Sequence, residues 1–276
     1  MSMENLINKY FRPGRLPHIW CPGCGNGVIT GCIVKAIDKL ALEKDNVAVI
    51  SGIGCSSRAS GYLDFNTVHS AHGRALPVAT GVKLADPSLN VIVVTGDGDA
   101  TAIGGNHLIH AARRNIDMTV VLFNNNIYGM TGGQYSPLTP QGSKATTAPY
   151  KTIEPAFDIT ELAKAAGATF VARGTTFHAQ ILTDLIAKGI QHKGFSLIEA
   201  VSGCPISFGR QNKIGGPADM MKWQRDHAVM LAAWNKLTDE QKAGKFPIGV
   251  LHEDNTRKEY TEAYDELIAR AQGGNK

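Results

Sequence analysis

The sequence predicts an α/β protein built on a doubly wound, mostly parallel sheet. Five short apolar runs alternate with helical patterns between residues 27 and 201. The apolar runs are nearly continuous rather than alternating, which is typical of strands that are buried on both faces of a parallel sheet. A strand followed by a helix, repeated along the chain in this way, indicates a doubly wound fold.

The elements follow in chain order. Strands are expected at residues 47–54, 90–96, 118–124, 168–173 and 195–201, and helices at residues 27–42, 75–85, 104–115, 158–167 and 177–190. The fourth helix has the clearest ends, because Asp158 is a suitable N-cap with Glu161 three residues later and Gly167 stands where a terminating glycine is expected. The segment 128–154 has no period, and an aperiodic loop of this length is usually functional or flexible.

The pattern is looser beyond Cys204. It predicts a loop at 205–218, a helix at 218–237 and a charged helix near the C-terminal end. No internal repeat, low-complexity tract or linker is apparent in the sequence. We therefore expect one domain over residues 1–204, with a C-terminal extension (residues 205–276) that packs on the same domain or on a partner subunit.

Composition excludes several classes of function. A hydrophobic share of 43% and a mean hydropathy of -0.11 fit a globular protein, and no apolar run approaches the ~20 residues that span a membrane. The first residues lack the basic-then-apolar layout of a signal peptide, so we expect a cytoplasmic protein. The net charge of +4 is too small to indicate nucleic-acid binding, and no basic block with interleaved aromatic residues appears.

Polar residues follow four of the five predicted strands. Because ligands of parallel sheets bind beyond the carboxyl ends of the strands, these residues are expected at one site. Asp97 and Asn125 offer hard oxygen ligands, and a divalent cation between them would bridge to a phosphate. Either the Gly-Asp-Gly turn or the triple asparagine alone is more often a plain turn. Their pairing, 28 residues apart and each after a buried strand, predicts a metal-bridged phosphate site.

The string GDGDATAIGGNHLIHAARRNIDMTVVLFNNNIYGMTGGQYSP, residues 96–137, resembles the β subunits of 2-oxoacid:ferredoxin oxidoreductases. WCPGCGNG near the start and HGRALPVATGVKLADP are similar to that family too, so the resemblance extends from about Trp20 to Cys204. It implies an enzyme that binds thiamine diphosphate and Mg²⁺, decarboxylates a 2-oxoacid to acyl-CoA and CO₂, and passes the electrons to ferredoxin.

The resemblance also implies a set of site residues. Asp97, Asn125 and the carbonyl of Ile127 would bind Mg²⁺. The cofactor would be contacted by Ile53, Gly54, Cys55, Ser56, His72, Gly96, Gly98, Asp99, Tyr128, Gly129, Met130 and Thr131. Such enzymes activate the aminopyrimidine with a glutamate from a second domain, for which this chain has no room. An α subunit is therefore expected to complete the site, and the isolated chain is expected to be inactive.

Five cysteines in a cytosolic chain point away from a disulfide framework. The Cys21–Cys24 pair by itself leaves zinc, redox chemistry and coincidence open. Cys55 and Cys204 end predicted strands at the same edge as Asp97. The resembling subunits bind one 4Fe–4S cluster through four such cysteines, and the resemblance assigns Cys21, Cys24, Cys55 and Cys204 to it. Cys32, within a predicted helix, is interpreted as a small buried apolar residue.

Arg58 is the candidate cation for a substrate carboxylate, and the alternative is a surface or interface arginine. His72 is a candidate contact to the diphosphate or to the reacting carbon. We expect 2-oxoglutarate as the substrate, a broader 2-oxoacid range second and pyruvate third. Two other functions stay open: a non-redox thiamine-diphosphate decarboxylase or ligase subunit, and a non-catalytic protein that binds phosphate or a partner.

Overall fold

Eight strands form a single sheet in the computed structural model, which describes residues 3–273. The strands are β1 (Val47–Ser51), β2 (Asn66–His69), β3 (Asn90–Gly96), β4 (Met118–Asn124), β5 (Phe170–Thr175), β6 (Phe195–Val201), β7 (Ala228–Met230) and β8 (Phe246–Glu253). The helices are α1 (Met3–Tyr10), α2 (Asn26–Lys39), α3 (Ala59–Tyr62), α4 (Ala75–Ala85), α5 (Gly105–Arg114), α6 (Ile159–Ala166), α7 (Ala179–Gln191), α8 (Arg210–Asn212), α9 (Pro217–His227), α10 (Leu231–Trp234), α11 (Asp239–Lys242) and α12 (Tyr260–Ala271).

The strand order is β2-β1-β3-β4-β6-β5-β8-β7, and every pair is parallel except β5 with β8. This arrangement confirms the predicted doubly wound, mostly parallel sheet. Gly96 at the end of β3 lies beside Phe123 of β4, and Asn124 lies beside Val201 of β6. The carboxyl ends of three central strands are therefore level with one another.

Helices cover both faces of the sheet. On one face α2 and α7 bury Ile33 and Leu182 against the strands, and on the other face α4 and α5 bury Leu76 and Leu108. These four side chains are almost completely buried, and each contributes about 1.5–3 kcal/mol relative to an exposed position. No helix within residues 3–273 combines the length and the apolar character that crossing a bilayer requires.

Several elements differ from the sequence predictions. The strand expected at 168–173 covers Phe170–Thr175 instead, so Arg173 lies inside a buried strand rather than at its end. The helix expected at 218–237 ends at His227 and is followed by β7. The edge strand β2 has only four residues, and β8 contains Pro247 and Gly249, residue types that are depleted in strands. Residue propensities therefore do not predict either strand.

The segment 205–276 contributes β7 and β8 to the sheet, with β8 paired antiparallel to β5. At the start of α6 the predicted cap is present, because the Asp158 carboxylate accepts the backbone N–H groups of Thr160 and Glu161 at 2.9 and 3.3 Å. Gly167 ends this helix in the left-handed conformation, with φ of 100°.

Candidate active site

A crevice lies at the carboxyl ends of β1, β3 and β4, where a parallel sheet places its ligands. Its walls contain all twelve residues predicted to contact the cofactor and the three predicted to bind Mg²⁺. Phe123 also lines the crevice. The sequence does not single it out, because the last apolar residue of a buried strand looks like any other core residue.

Asp97 is a buried carboxylate that lacks a positively charged partner among residues 3–273. Only 3% of the residue is exposed, and its carboxylate accepts a 2.5 Å hydrogen bond from the Ser136 hydroxyl. Burial raises the pKa of Asp97 to about 7, although Ser136 and the backbone N–H of Gly98 oppose the rise. Within residues 3–273 no basic side chain forms an ion pair with it. A hard divalent cation is the partner that suits a carboxylate in this environment.

The loop after β4 is held in one shape by its own side chains. The side-chain oxygen of Asn125 accepts the backbone N–H of Ile127 at 3.2 Å. Asn126 takes the left-handed conformation with φ of 63°, which asparagine tolerates better than most residues, and its carbonyl accepts the Thr139 hydroxyl at 2.6 Å. Asn125 and Ile127 are thereby presented to the crevice beside Asp97.

A buried charged network supports the loop after β4. The Arg173 guanidinium donates to Glu199 at 2.6 Å and to Asp158 at 2.8 Å. The other oxygen of Glu199 accepts the Asn124 side-chain amide at 2.7 Å, and the Asn124 side-chain oxygen accepts the N–H of Asn126 at 3.1 Å. The chain of contacts therefore runs from an internal ion pair to the loop that carries Asn125. No sequence pattern predicts this role of Glu199, because an acid inside an apolar run has no motif of its own.

Asp99 connects strand β3 to the loop that carries His72 and Gly73. Its carboxylate accepts hydrogen bonds from the Thr95 hydroxyl and the Gly73 N–H, each at 2.7 Å, and lies 2.5 Å from Nδ1 of His72. A Cβ atom on Gly52 would lie 1.9 Å from the same carboxylate, so only glycine fits there. With Nδ1 of His72 donating to Asp99, Nε2 is the ring atom left for a ligand.

Tyr128 covers the turn after β3. Its hydroxyl donates to the carbonyl of Gly98 at 2.9 Å, and a Cβ atom on Gly98 would lie 2.2 Å from the tyrosine ring. Burial raises the pKa of Tyr128 to about 12, and the charges of Asp97 and Asp99 add to the rise. The hydroxyl therefore stays protonated and remains a donor at neutral pH.

Two of the candidate cluster cysteines lie against the crevice. A Cβ atom on Gly129 would lie 3.4 Å from the Cys204 sulfur and 3.7 Å from the Cys55 sulfur. Burial raises the pKa of Cys55 to about 11, and nearby Cys204 and Cys24 reinforce the rise. Burial also raises the pKa of Cys24, with Cys21 and Cys204 as its thiol neighbours. The four thiols thus form one neighbourhood, in which Cys21 alone is exposed.

Backbone N–H groups point at two of these sulfurs. The N–H of Ser207 donates to the Cys204 sulfur at 3.4 Å, and the N–H of Asn26 lowers the pKa of Cys24 against the larger effect of burial. Among residues 3–273, no three Cys, His, Asp or Glu side chains come close enough to hold a single metal ion.

Arg58 does not line the crevice. It is exposed at the end of the turn Ser56–Arg58 and lies in a neighbouring cavity together with Arg12, Arg15 and His69. The role of Arg58 as the cation for a substrate carboxylate stays a prediction, and the structure places this residue outside the wall of the crevice. His69 faces the same neighbouring cavity, whereas His72 faces the crevice.

Comparison with known proteins gives consistent results. Residues 52–200 match the family described as thiamine pyrophosphate enzyme, C-terminal TPP binding domain. The chain is 52% identical over 246 residues to the 2-oxoglutarate synthase subunit KorB of Methanothermobacter marburgensis, covering 89% of this chain and 86% of the relative. It is 51% identical over 262 residues to the same subunit of Methanocaldococcus jannaschii, covering 95% of this chain and 97% of the relative.

Among solved structures, the 2-oxoglutarate:ferredoxin oxidoreductase from Magnetococcus marinus, with 2-oxoglutarate, coenzyme A and succinyl-CoA bound, is similar to this chain. The TM-score is 0.86 at 35% sequence identity, and the match covers 98% of this chain and 91% of that one. The similarity therefore includes the C-terminal segment as well as the region of the crevice.

Proposed function

The chain belongs to the family of 2-oxoglutarate synthase KorB subunits, and from that premise we propose that it is the β subunit of a CoA-dependent 2-oxoglutarate:ferredoxin oxidoreductase. The reaction converts 2-oxoglutarate and CoA to succinyl-CoA, CO₂ and a proton, and two oxidised ferredoxins each take one electron. One observation carries the proposal: Gly129, in the wall of the crevice beside Asp97, lies within reach of the Cys55 and Cys204 sulfurs.

The residues around Asp97 fit a magnesium ion. Asp97 is buried and has no basic partner in the described part of the chain, and Asn125 and Ile127 line the same crevice. Magnesium is commonly held by one or two carboxylates together with substrate phosphates and water, which such a small set of protein ligands would allow. We assign Asp97, Asn125 and Ile127 to this ion.

The glycine-rich walls fit the diphosphate of thiamine diphosphate. Gly54 has φ of 116°, and nothing lies within 4 Å of the position where its Cβ would be, so the backbone can approach a ligand closely. When bound, thiamine diphosphate supplies a carbon nucleophile for the ketone and takes up the electrons released with CO₂. Tyr128 holds the Gly98 turn in place, and His72 offers Nε2 as a hydrogen-bonding atom at the crevice wall.

We assign Cys21, Cys24, Cys55 and Cys204 to an iron–sulfur cluster. Their thiols lie in one neighbourhood beside the crevice, and N–H donors point at Cys24 and Cys204, as hydrogen bonds to cluster sulfurs do. A 4Fe–4S cluster held there would accept electrons one at a time. Iron binds the thiolate form of cysteine, so assembly of the cluster would release protons from these thiols.

The chain works as one subunit of a larger enzyme. The crevice supplies hydrogen-bond donors for a diphosphate and oxygen ligands for a metal. Residues 3–273 form one sheet and contain no second cofactor domain. We propose that an α subunit contributes the other half of the thiamine site and that ferredoxin is the electron acceptor. Turnover of 2-oxoglutarate by the isolated chain would contradict this division.

The test is an anaerobic assay of the chain co-purified with its α subunit. We expect ferredoxin reduction that requires both 2-oxoglutarate and CoA, with slower rates on pyruvate. Replacing Asp97 by alanine is expected to abolish thiamine diphosphate binding in a titration. Decarboxylation without acceptor reduction, together with zinc or no metal in the protein, would instead favour a non-redox thiamine enzyme.

A further inference from the structure

A basic cavity lies beside the crevice and is not part of it. Its volume is about 390 Å³, and none of the residues that line it is acidic. Three arginines face it, namely Arg12, Arg15 and Arg58. Within residues 3–273 none of the three guanidinium groups forms an ion pair, and the guanidinium of Arg12 donates to the Thr67 hydroxyl at 2.6 Å. The nearby carboxylate of Asp64 is paired with Lys44.

The wall of the basic cavity contacts the residues that directly precede Cys21. Tyr62, which lines the cavity, accepts the backbone N–H of Ile19 at 3.0 Å and packs against the Trp20 ring at 5.0 Å between centroids. The indole N–H of Trp20 donates to the carbonyl of Cys55 at 2.7 Å. The next residue, Cys21, is exposed. One layer of aromatic side chains therefore separates the basic cavity from the backbone of the candidate cluster ligands.

Exposed apolar side chains accompany these charges. Ile19 is 64% exposed and Leu16 is 37% exposed, and both belong to the loop that carries Arg12 and Arg15. A few apolar residues surrounded by unpaired cations are typical of small, transient protein interfaces that are steered by charge. A binding site for a small anion would not require exposed apolar side chains such as Leu16 and Ile19.

We propose that the surface formed by residues 12–19 and Arg58, called here the basic loop surface, is the docking site of an acidic electron-carrier protein. The inference rests on the proposed function and adds to it the place where the partner binds. An oxidised ferredoxin docked there would lie next to Cys21 and would receive one electron from a reduced cluster, with no bond made or broken. A carboxylate of the carrier would enter the basic cavity between the arginines.

The test uses the anaerobic complex with its α subunit and the exposed residue Arg15. In Arg15→Glu we expect the KM for ferredoxin to rise roughly tenfold and its dependence on salt to weaken, because an attraction becomes a repulsion. The rate with methyl viologen, a small acceptor that needs no docking site, should stay at the wild-type value. Arg114→Glu is the matched control. This exposed residue ends α5 just before β4 begins, at the amino ends of the strands and away from the basic loop surface.

An unchanged KM for ferredoxin in Arg15→Glu and in the double variant with Arg12→Gln would overturn the docking surface. A rise in the KM for CoA or 2-oxoglutarate in the viologen assay would also overturn it, by identifying the cavity as a small-anion site. If the wild-type complex shows no 2-oxoacid-dependent viologen reduction, the proposed function itself fails. The two failures are thereby distinguishable.

Discussion

Replacing Glu199 by glutamine is expected to destabilise the fold and loosen the candidate magnesium loop together. Both carboxylate oxygens of Glu199 are acceptors, one for Arg173 at 2.6 Å and the other for Asn124 at 2.7 Å. A glutamine has one oxygen and one NH₂ group, so in either orientation one of these two donors faces another donor. Glu199 and Arg173 are only 4% and 7% exposed, so water cannot compensate.

The magnitude follows from burial. Breaking a buried ion pair costs about 3–5 kcal/mol, and leaving a buried donor unpaired costs about 1–3 kcal/mol. Arg173 keeps its contact with Asp158, which is half-exposed, so the loss should fall near the lower limit, about 3 kcal/mol. Because Asn124 also fixes the N–H of Asn126, we expect Mg²⁺-dependent thiamine diphosphate affinity to fall about tenfold.

Urea unfolding followed by circular dichroism measures the first quantity, and cofactor titration measures the second. Glu161→Gln is the control, because this exposed glutamate in the first turn of α6 should change stability by less than about 0.5 kcal/mol. A loss below about 1 kcal/mol in Glu199→Gln, with unchanged cofactor affinity, would refute the idea that this network supports the loop.

Two further predictions concern glycines of the crevice. Gly98→Ala would place a Cβ atom 2.2 Å from the Tyr128 ring, so cofactor affinity should fall at least tenfold and recover partly in a double variant with Tyr128→Ala; equal defects in the single and double variants would contradict this contact. Gly52→Ala would collide with the Asp99 carboxylate at 1.9 Å and should cost more than about 3 kcal/mol in urea unfolding. Gly81 lies in α4, and no described atom lies within 4 Å of where its Cβ would be, so Gly81→Ala should instead stabilise the fold by up to about 1 kcal/mol. Similar changes in the free energy of unfolding for Gly52→Ala and Gly81→Ala would contradict the predicted collision with Asp99.

The sequence predicts the central sheet well because its strands are continuous apolar runs. β3, β4 and β6 begin and end at the predicted residues, since β-branched and aromatic residues leave little choice there. The crevice is also predictable, because the residues after such strands must meet at one edge. Strands β2 and β8 are not, since one is short and exposed and the other carries Pro247 and Gly249.

The supporting contacts of the site depend on tertiary packing and leave no local pattern. Ser136 reaches Asp97 from 39 residues away in a loop without period. Arg173 of β5 and Glu199 of β6 are direct neighbours because of the register of these two strands. The sequence prediction ends the strand at residue 173 and does not specify this register. Asp99 belongs to a recognisable motif, but its contacts with Thr95, His72 and Gly73 require the folded loops.

The most direct test of the central claim, that one edge of the sheet holds both the magnesium–diphosphate site and the iron–sulfur ligands, is the visible and paramagnetic resonance spectrum of the anaerobic complex after 2-oxoglutarate is added. We predict that 2-oxoglutarate and CoA reduce the cluster in the wild-type complex and leave it oxidised in Asp97→Ala. A cluster that stays oxidised while the wild-type complex releases CO₂ from 2-oxoglutarate would contradict the account.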